Sequence, residues 1–274
     1  MKQKSKLGCT LQRVYWLHKS KNIKGVIMKK KTKIVLIGIG AFLALCVIIV
    51  GGFLYQFNAE TKKMHPTETG NVVDNIYAIK DEFVNMYLIK DGNQYIAIDA
   101  GKDIEVVSAE LKKLNIDEDK VVAVLLTHTD MDHVAALPLF KNAKIYLSKQ
   151  EELMLTGEKQ KIPFVSNSVS RKDYTLLEDK QTLNIGSEKA FGILIVGHTS
   201  GSMCFQVNGK YLFTGDVLSL EAGKLGPSVK FFDLDHEMAT KSITTITKLP
   251  EVEYIFTAHH GYTNDYKNAV KDWK

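Results

Sequence analysis

The sequence predicts an α/β body of two packed sheets flanked by helices, carried behind an N-terminal apolar helix. Three observations point there: short β-rich runs bounded by turn residues, a few amphipathic stretches at helical spacing between them, and one long uncharged run near the N-terminus. The 274 residues are 45% hydrophobic and 24% charged, the balance of a folded body rather than a disordered, collagenous or multi-span chain.

Charge separates the two parts. The net +5 comes from residues 1–33, which hold 11 Lys/Arg and no Asp/Glu; residues 34–274 hold 25 Lys/Arg against 31 Asp/Glu, a net of −6. The body therefore lacks the basic footprint that phosphate backbones require, and no nucleic-acid partner is expected.

Residues 34–55 are 22 residues without a charge, about 33 Å as a helix and enough to span a membrane. Lys29, Lys30, Lys31 and Lys33 precede the run, so the positive-inside rule makes 1–33 a cytoplasmic tail and puts the body outside the cytoplasm. The run exceeds the usual apolar core of a signal peptide and lacks a clean cleavage site, which favours an uncleaved anchor; secretion after signal cleavage is the alternative. Residues 1–27, upstream of Met28 and its MKKKTK, read as an upstream extension, and 56–70 as a polar linker with a solvated His65. The domain proper is expected over 71–274. Cys9, Cys46 and Cys204 fall one to each part, so the body has no internal disulfide, and Cys204, beside Met203 and Phe205 in a strand-like stretch, reads as a buried inert thiol.

Within the body, strands are expected at 72–79, 84–89 and 94–98, the last two joined by the turn residues 90–93. Ile104, Val107, Leu111 and Leu114 recur at helical spacing behind the cap Asp103. The run VVAVLL at 121–126 is apolar throughout, the mark of a strand covered on both faces. Further strands are expected at 144–147, 181–185, 191–196, 203–207, 211–213 and 253–257, with a helix over 236–248. The irregular stretches 156–174 and 217–234 are long enough to be substrate-facing loops. Lys161, Arg171 and Lys172 read as a solvated loop face, and His236 and Tyr262 as surface or packing residues.

Chemistry concentrates where strands end. THTDMDHV follows the buried run directly and brings His128, Asp130, Asp132 and His133 onto one turn; His198 in VGHTSGS, Asp216 in FTGDV and His260 in TAHHG each follow a further strand. Imidazole and carboxylate groups at this spacing suit one or two divalent ions.

These motifs resemble the metallo-β-lactamase fold superfamily, through NMYLI (85–89), IDAG (98–101), LLTHTDMDHV (125–134), GHTSGS (197–202), LFTGD (212–216) and AHHG (258–261), in the family's order. The resemblance implies an αββα sandwich with two divalent ions, zinc in the first instance, at one edge. It places His128, Asp130 and His198 on the first ion, Asp132, His133 and His260 on the second, and Asp216 between them. His260 is selected because the family's last ligand immediately precedes a glycine, leaving His259 and Asp99 as supports behind the ligands. The implied activity is hydrolysis of a small ester, thioester, lactone or β-lactam by a metal-activated hydroxide, with Asp132 orienting it and handling its proton. Asp130 stands where the family has a second histidine; its oxygen lowers the positive charge of the site and tilts it toward iron or manganese. That departure gives one alternative, a metal-dependent redox enzyme. A membrane-tethered protein that holds metal without turnover is the other.

Overall fold

The computed structural model describes residues 4–273, which divide into two units between Asn58 and Ala59. The first unit is helical: α1 runs over Lys4–Thr61 without a break, and its stretch Met28–Thr61 is long and apolar enough to cross a membrane. Apolar side chains such as Ile37, Val47 and Tyr55 stay exposed along it. The helix overruns the expected linker boundary at residue 56, because no glycine or proline interrupts the chain between Gly52 and Pro66.

In the second unit, β1 (Gly70–Val73), β2 (Ile76–Asp81), β3 (Val84–Asp91), β4 (Gln94–Ile98), β5 (Val121–Leu125), β6 (Lys144–Ser148) and β7 (Tyr174–Leu177) form a seven-stranded sheet in sequence order. The pairings are antiparallel from β1 to β4 and parallel from β4 to β7. The run expected as one strand over 72–79 is a hairpin, broken where Asp74 takes a positive φ of 47° and Asn71 Nδ2 bonds the Asp74 and Ile76 carbonyls. Each parallel step needs a crossover. The first carries α2 (Ile104–Lys113), whose N-cap Asp103 accepts from the Glu105 and Val106 amides; the next carries the short α3 (Met131–Val134), and β6 is followed by α4 (Glu152–Thr156).

The second sheet has the order β15-β14-β11-β10-β9-β8, from β8 (Thr182–Ile185), β9 (Glu188–Leu194), β10 (Met203–Val207), β11 (Tyr211–Phe213), β14 (Tyr254–Phe256) and β15 (Tyr262–Thr263). Between β11 and β14 lie α5 (His236–Ile246) and a hairpin of β12 (Leu218–Glu221) and β13 (Lys224–Pro227); α6 (Tyr266–Ala269) follows β15. The hairpin occupies part of the stretch expected to be irregular, turning at Ala222 and Gly223, both at positive φ.

Three buried clusters define the layers. Ile79, Leu88, Val107, Leu111 and Val124 pack sheet one on α2. Ile98, Leu125, Phe205, Phe213 and Phe256 fill the space between the sheets. Ile193, Cys204, Leu212, Ile243 and Ile246 pack sheet two on α5. From Ala123 on, alternation along β5 sends Val124 and Leu126 to the first cluster and Ala123 and Leu125 to the second, and Val121, on the other side of a register shift, also joins the first, which is why the run is apolar throughout. Cys204 is fully buried and burial pushes its thiol up, so it is unreactive. Helix, sheet, sheet and helix make an α/β sandwich with its strand ends gathered along one edge.

Candidate metal centre

The loops leaving β4, β5, β10, β11 and β14 or entering those strands meet at that edge. Two groups of side chains converge there, His128 with His198 and Asp216, and Asp132 with His133 and His259; within each, the candidate ligand atoms lie within 4.8 Å of one another. Asp216 joins the two. Its Oδ2 is 3.4 Å from His198 Nε2 and 3.1 Å from His259 Nε2, while its Oδ1 is 3.1 Å from His133 Nε2.

All four histidines are aimed by the same device. His133 Nδ1 donates to Asp99 at 2.9 Å, His198 Nδ1 to Asp233 at 3.0 Å, and His259 Nδ1 to the Phe83 carbonyl at 2.7 Å. His128 Nδ1 is 3.0 Å from Thr127 Oγ1, whose hydroxyl itself donates to Asp99. Because these partners accept, each ring carries a hydrogen on Nδ1 and turns Nε2 inward, where His259 Nε2 bonds Asp216 Oδ2 at 3.1 Å. The result is a set of orphans: His128 Nε2, His133 Nε2 and Asp216 Oδ1 are buried with no hydrogen-bond partner. Unpartnered buried polar atoms are costly. Converging nitrogen and oxygen atoms of this kind fit a divalent cation, and among the described residues no side-chain donor relieves these three.

Charge tells the same story. Burial pulls His133 down, but Asp216, Asp132 and Asp99 outweigh it and hold the ring well above its ordinary value. Burial pushes Asp216 up, yet His259 and His133 keep it well below the carboxylate range. His128 is lowered, by burial and by the neighbouring His133. The cluster thus draws positive charge from its own imidazoles.

The backbone leaves little slack. Asp99 sits at φ 62°, and its carboxylate also takes the Thr127 amide at 2.7 Å. Gly215 has φ 55°, and a Cβ there would lie 2.3 Å from Thr127 Oγ1, so only glycine lets the Asp216 loop pack on the Thr127 loop.

His128, Asp132, His133, His198 and Asp216 come together at this edge, and Asp99 stands behind His133. The histidine pair corrects the expectation. His259, not His260, turns into the cluster; His260 Nδ1 is buried and unpartnered, its ring meets His65 edge-on at 5.3 Å, and burial helped by His259 and His65 pushes it down to about 4. Consecutive residues leaving β14 point opposite ways, and the Thr257 hydroxyl, bonded to the Gly261 carbonyl and the His260 amide, fixes which one faces in. His65 is exposed, and its amide donates to the His259 carbonyl at 2.8 Å, which ties this segment to the site.

Asp130 reaches the first group, with Oδ2 3.5 Å from His128 Nε2 and 3.2 Å from His198 Nε2, but both of its oxygens are engaged. Lys161 Nζ bonds Oδ2 at 2.5 Å and Asn167 Nδ2 bonds Oδ1 at 2.9 Å. Lys161 is therefore a site residue, not part of a solvated face. Arg171 stays away, bonded to the Phe140 carbonyl and Asp173. Tyr262 stacks on Phe256, a packing role.

Two carboxylates carry the scaffold without any local sequence signal. Glu151, fully buried and raised by that burial, accepts from the Thr129 amide and hydroxyl, the Thr199 hydroxyl and the Gly201 amide, tying the His128 loop to the His198 loop. Asp233 accepts from His198, His236 and Ser228. Beside the cluster opens a pocket where His198, Asp216, His259 and His260 face the apolar Met64, Leu218, Val229 and Phe232.

An αββα sandwich with clustered histidines and aspartates at its strand-end edge defines a class of metal-site proteins. Residues 79–259 match the Metallo-beta-lactamase superfamily, and the chain belongs to it. It is 31% identical over 166 residues to the probable polyketide biosynthesis zinc-dependent hydrolase PksB of Bacillus subtilis, covering 59% of this chain and 63% of that protein. It is 34% identical over 152 residues to hydroxyacylglutathione hydrolase of Prochlorococcus marinus, covering 53% and 54%. The chain thus spans between half and two thirds of the length of these curated relatives. The solved structure of a B3 metallo-β-lactamase with an active-site glutamic acid superposes with a TM-score of 0.59 over 76% of this chain and 86% of that one, at 17% identity, and so shares the fold.

Proposed function

We propose that the chain is a metal-dependent hydrolase acting on an ester, thioester, lactone or β-lactam. The observation that carries this reading is the set of four imidazoles whose Nδ1 atoms are all held from behind while their Nε2 atoms converge on Asp216. His128, His198 and Asp216 offer one cation position, and Asp132, His133 and His259, again with Asp216, offer a second. Four imidazole nitrogens favour zinc over harder ions. The engagement of Asp130 by Lys161 and Asn167 weakens the reason for expecting iron or manganese.

A bound divalent ion supplies a Lewis acid for the carbonyl oxygen and brings the pKa of water toward neutrality. The chain's own residues supply the rest. Asp132 Oδ2, 3.5 Å from His259 Nε2 and 3.7 Å from His133 Nε2, takes the proton of the attacking water. As the water oxygen adds to the carbonyl carbon and the C–O, C–S or C–N bond breaks, that proton goes to the leaving group. Met64, Leu218, Val229 and Phe232 form the dry wall against which an apolar acyl portion would pack.

The helix over Met28–Thr61 anchors this domain to a membrane, with the lysine cluster on the cytoplasmic side and the catalytic domain opposite. Hydrolysis of a panel of esters, thioesters, lactones and β-lactams, with and without chelator, tests the enzyme. A rate that survives complete metal removal would sink the reading. Protease access to the body in sealed vesicles tests the topology, which fails if the body is protected from the outer side of the cell membrane.

A further inference from the structure

We propose that Lys161 is a tethered cation that occupies the first cation position and must be displaced for an ion to enter it, so that the two positions fill in order, the Asp132–His133–His259 position first. The inference rests on the metal-site reading above and adds to it a residue that controls occupancy.

The geometry is specific. Lys161 Nζ lies 2.5 Å from Asp130 Oδ2 and 2.9 Å from His198 Nε2, and the side chain is only 17% exposed. His198 gives its Nδ1 hydrogen to Asp233, so its one remaining lone pair is on Nε2. That lone pair is the atom the ring would offer a metal, and it cannot accept from an ammonium and bind an ion at once. The second position has no such cation: among the described residues, no ammonium contacts His133 or His259, His133 Nε2 is left without a partner, and His259 Nε2 meets only carboxylates. Two nearby charges of one sign also disfavour each other in a buried site. An ion entering the first position must therefore break a charge-assisted bond to Asp130 and expel the ammonium, whereas at the second position it displaces no tethered cation and only replaces the proton between His259 and Asp216.

Departure of Lys161 is easy for the chain. Lys161 lies on the connection between α4 and β7, whose tip carries Phe164 at 97% exposure together with the exposed Ile162 and Val165. Asn167, lower on the same connection, keeps Asp130 Oδ1 and Thr129 in place. The ammonium can thus swing out while the loop stays fastened and Asp130 stays positioned.

Zinc titration of the metal-stripped full chain tests this, with bound zinc counted by elemental analysis after equilibrium dialysis. The wild type is expected to take one ion tightly and a second more weakly. Lys161→Met and Lys161→Ala should tighten the second ion about tenfold or more, the scale of one lost charge-assisted hydrogen bond, and leave the first unchanged. Lys161→Arg, which keeps the cation, should behave as the wild type. Identical two-ion binding curves in the wild type, Lys161→Met and Lys161→Ala would overturn the inference and leave the metal site standing. Failure of every form to bind zinc would instead overturn the metal site itself.

Discussion

The two halves of the centre share Asp216 but are built differently. His133 rides on α3, its carbonyl accepting from the Ala100 amide and its ring held by Asp99, and His259 is held by the backbone of Phe83. Everything behind this half is strand end or main chain. His198 depends instead on Asp233, which lies 35 residues further along the chain, and Asp130 depends on the long connection carrying Lys161 and Asn167. Groups aimed by fixed backbone are pre-organised for an ion; groups aimed by loops can be retuned by what else the loops bring.

The largest effect should come from the residue the halves share. Asp216→Ala removes an oxygen facing both groups and is expected to lower zinc affinity at both positions by at least about a hundredfold, with a matching loss of hydrolysis; loss at one position only would mean that Asp216 does not bridge. Next comes the histidine pair. His259→Ala should empty the second position while leaving the first, and His260→Ala should leave zinc binding within about threefold of the wild type; the reverse pattern in dialysis would restore His260 as the inward ring.

Changes behind the ligands are expected to be smaller and to fall unequally on the two halves. Asp99→Asn should weaken the second position by roughly 10–100-fold and, through Thr127 and His128, the first by less, whereas Asp233→Asn should weaken the first alone, measured by zinc titration of each variant. Equal losses at both positions from either change would erase the distinction between the halves.

The smallest effect is on the ion-free chain. His133 and His259 are raised, burial opposing and their carboxylate neighbours prevailing, so the stability they add is full below the ordinary histidine value of about 6.5 and lost as pH rises through their folded values. His128 and His260 are lowered by burial, so their neutral forms favour folding above about 6.5 and that stability is lost as pH falls. Thermal unfolding of stripped protein should therefore be most resistant near pH 6.5, and zinc should flatten the slope above it. A stripped chain whose stability climbs steadily from pH 6.5 to 8.5 would contradict these signs.

Much of this was legible in the sequence, for physical reasons. VVAVLL at 121–126 announced a strand buried on both faces, and a parallel strand must release its next residues at the sheet edge, so THTDMDHV had to lie there. His198 and Asp216 were found by the same logic. What could not be read depends on side-chain direction or on distant partners. His259 and His260 are adjacent and chemically identical, and a hydroxyl at Thr257 decides between them. Glu151 sits in KQEELM, which looks like any solvated helical acid until the fold buries it between two loops. Lys161 looked solvated because nothing local reveals that its loop folds back over Asp130.

X-ray absorption at the zinc edge of the loaded full chain tests the metal centre most directly. The expected spectrum has nitrogen and oxygen neighbours only, at about 2.0–2.1 Å, with the outer-shell scattering of several imidazoles. Sulfur in the first shell, or a shell of water oxygens without imidazole scattering, would contradict a centre built from His128, His133, His198 and His259.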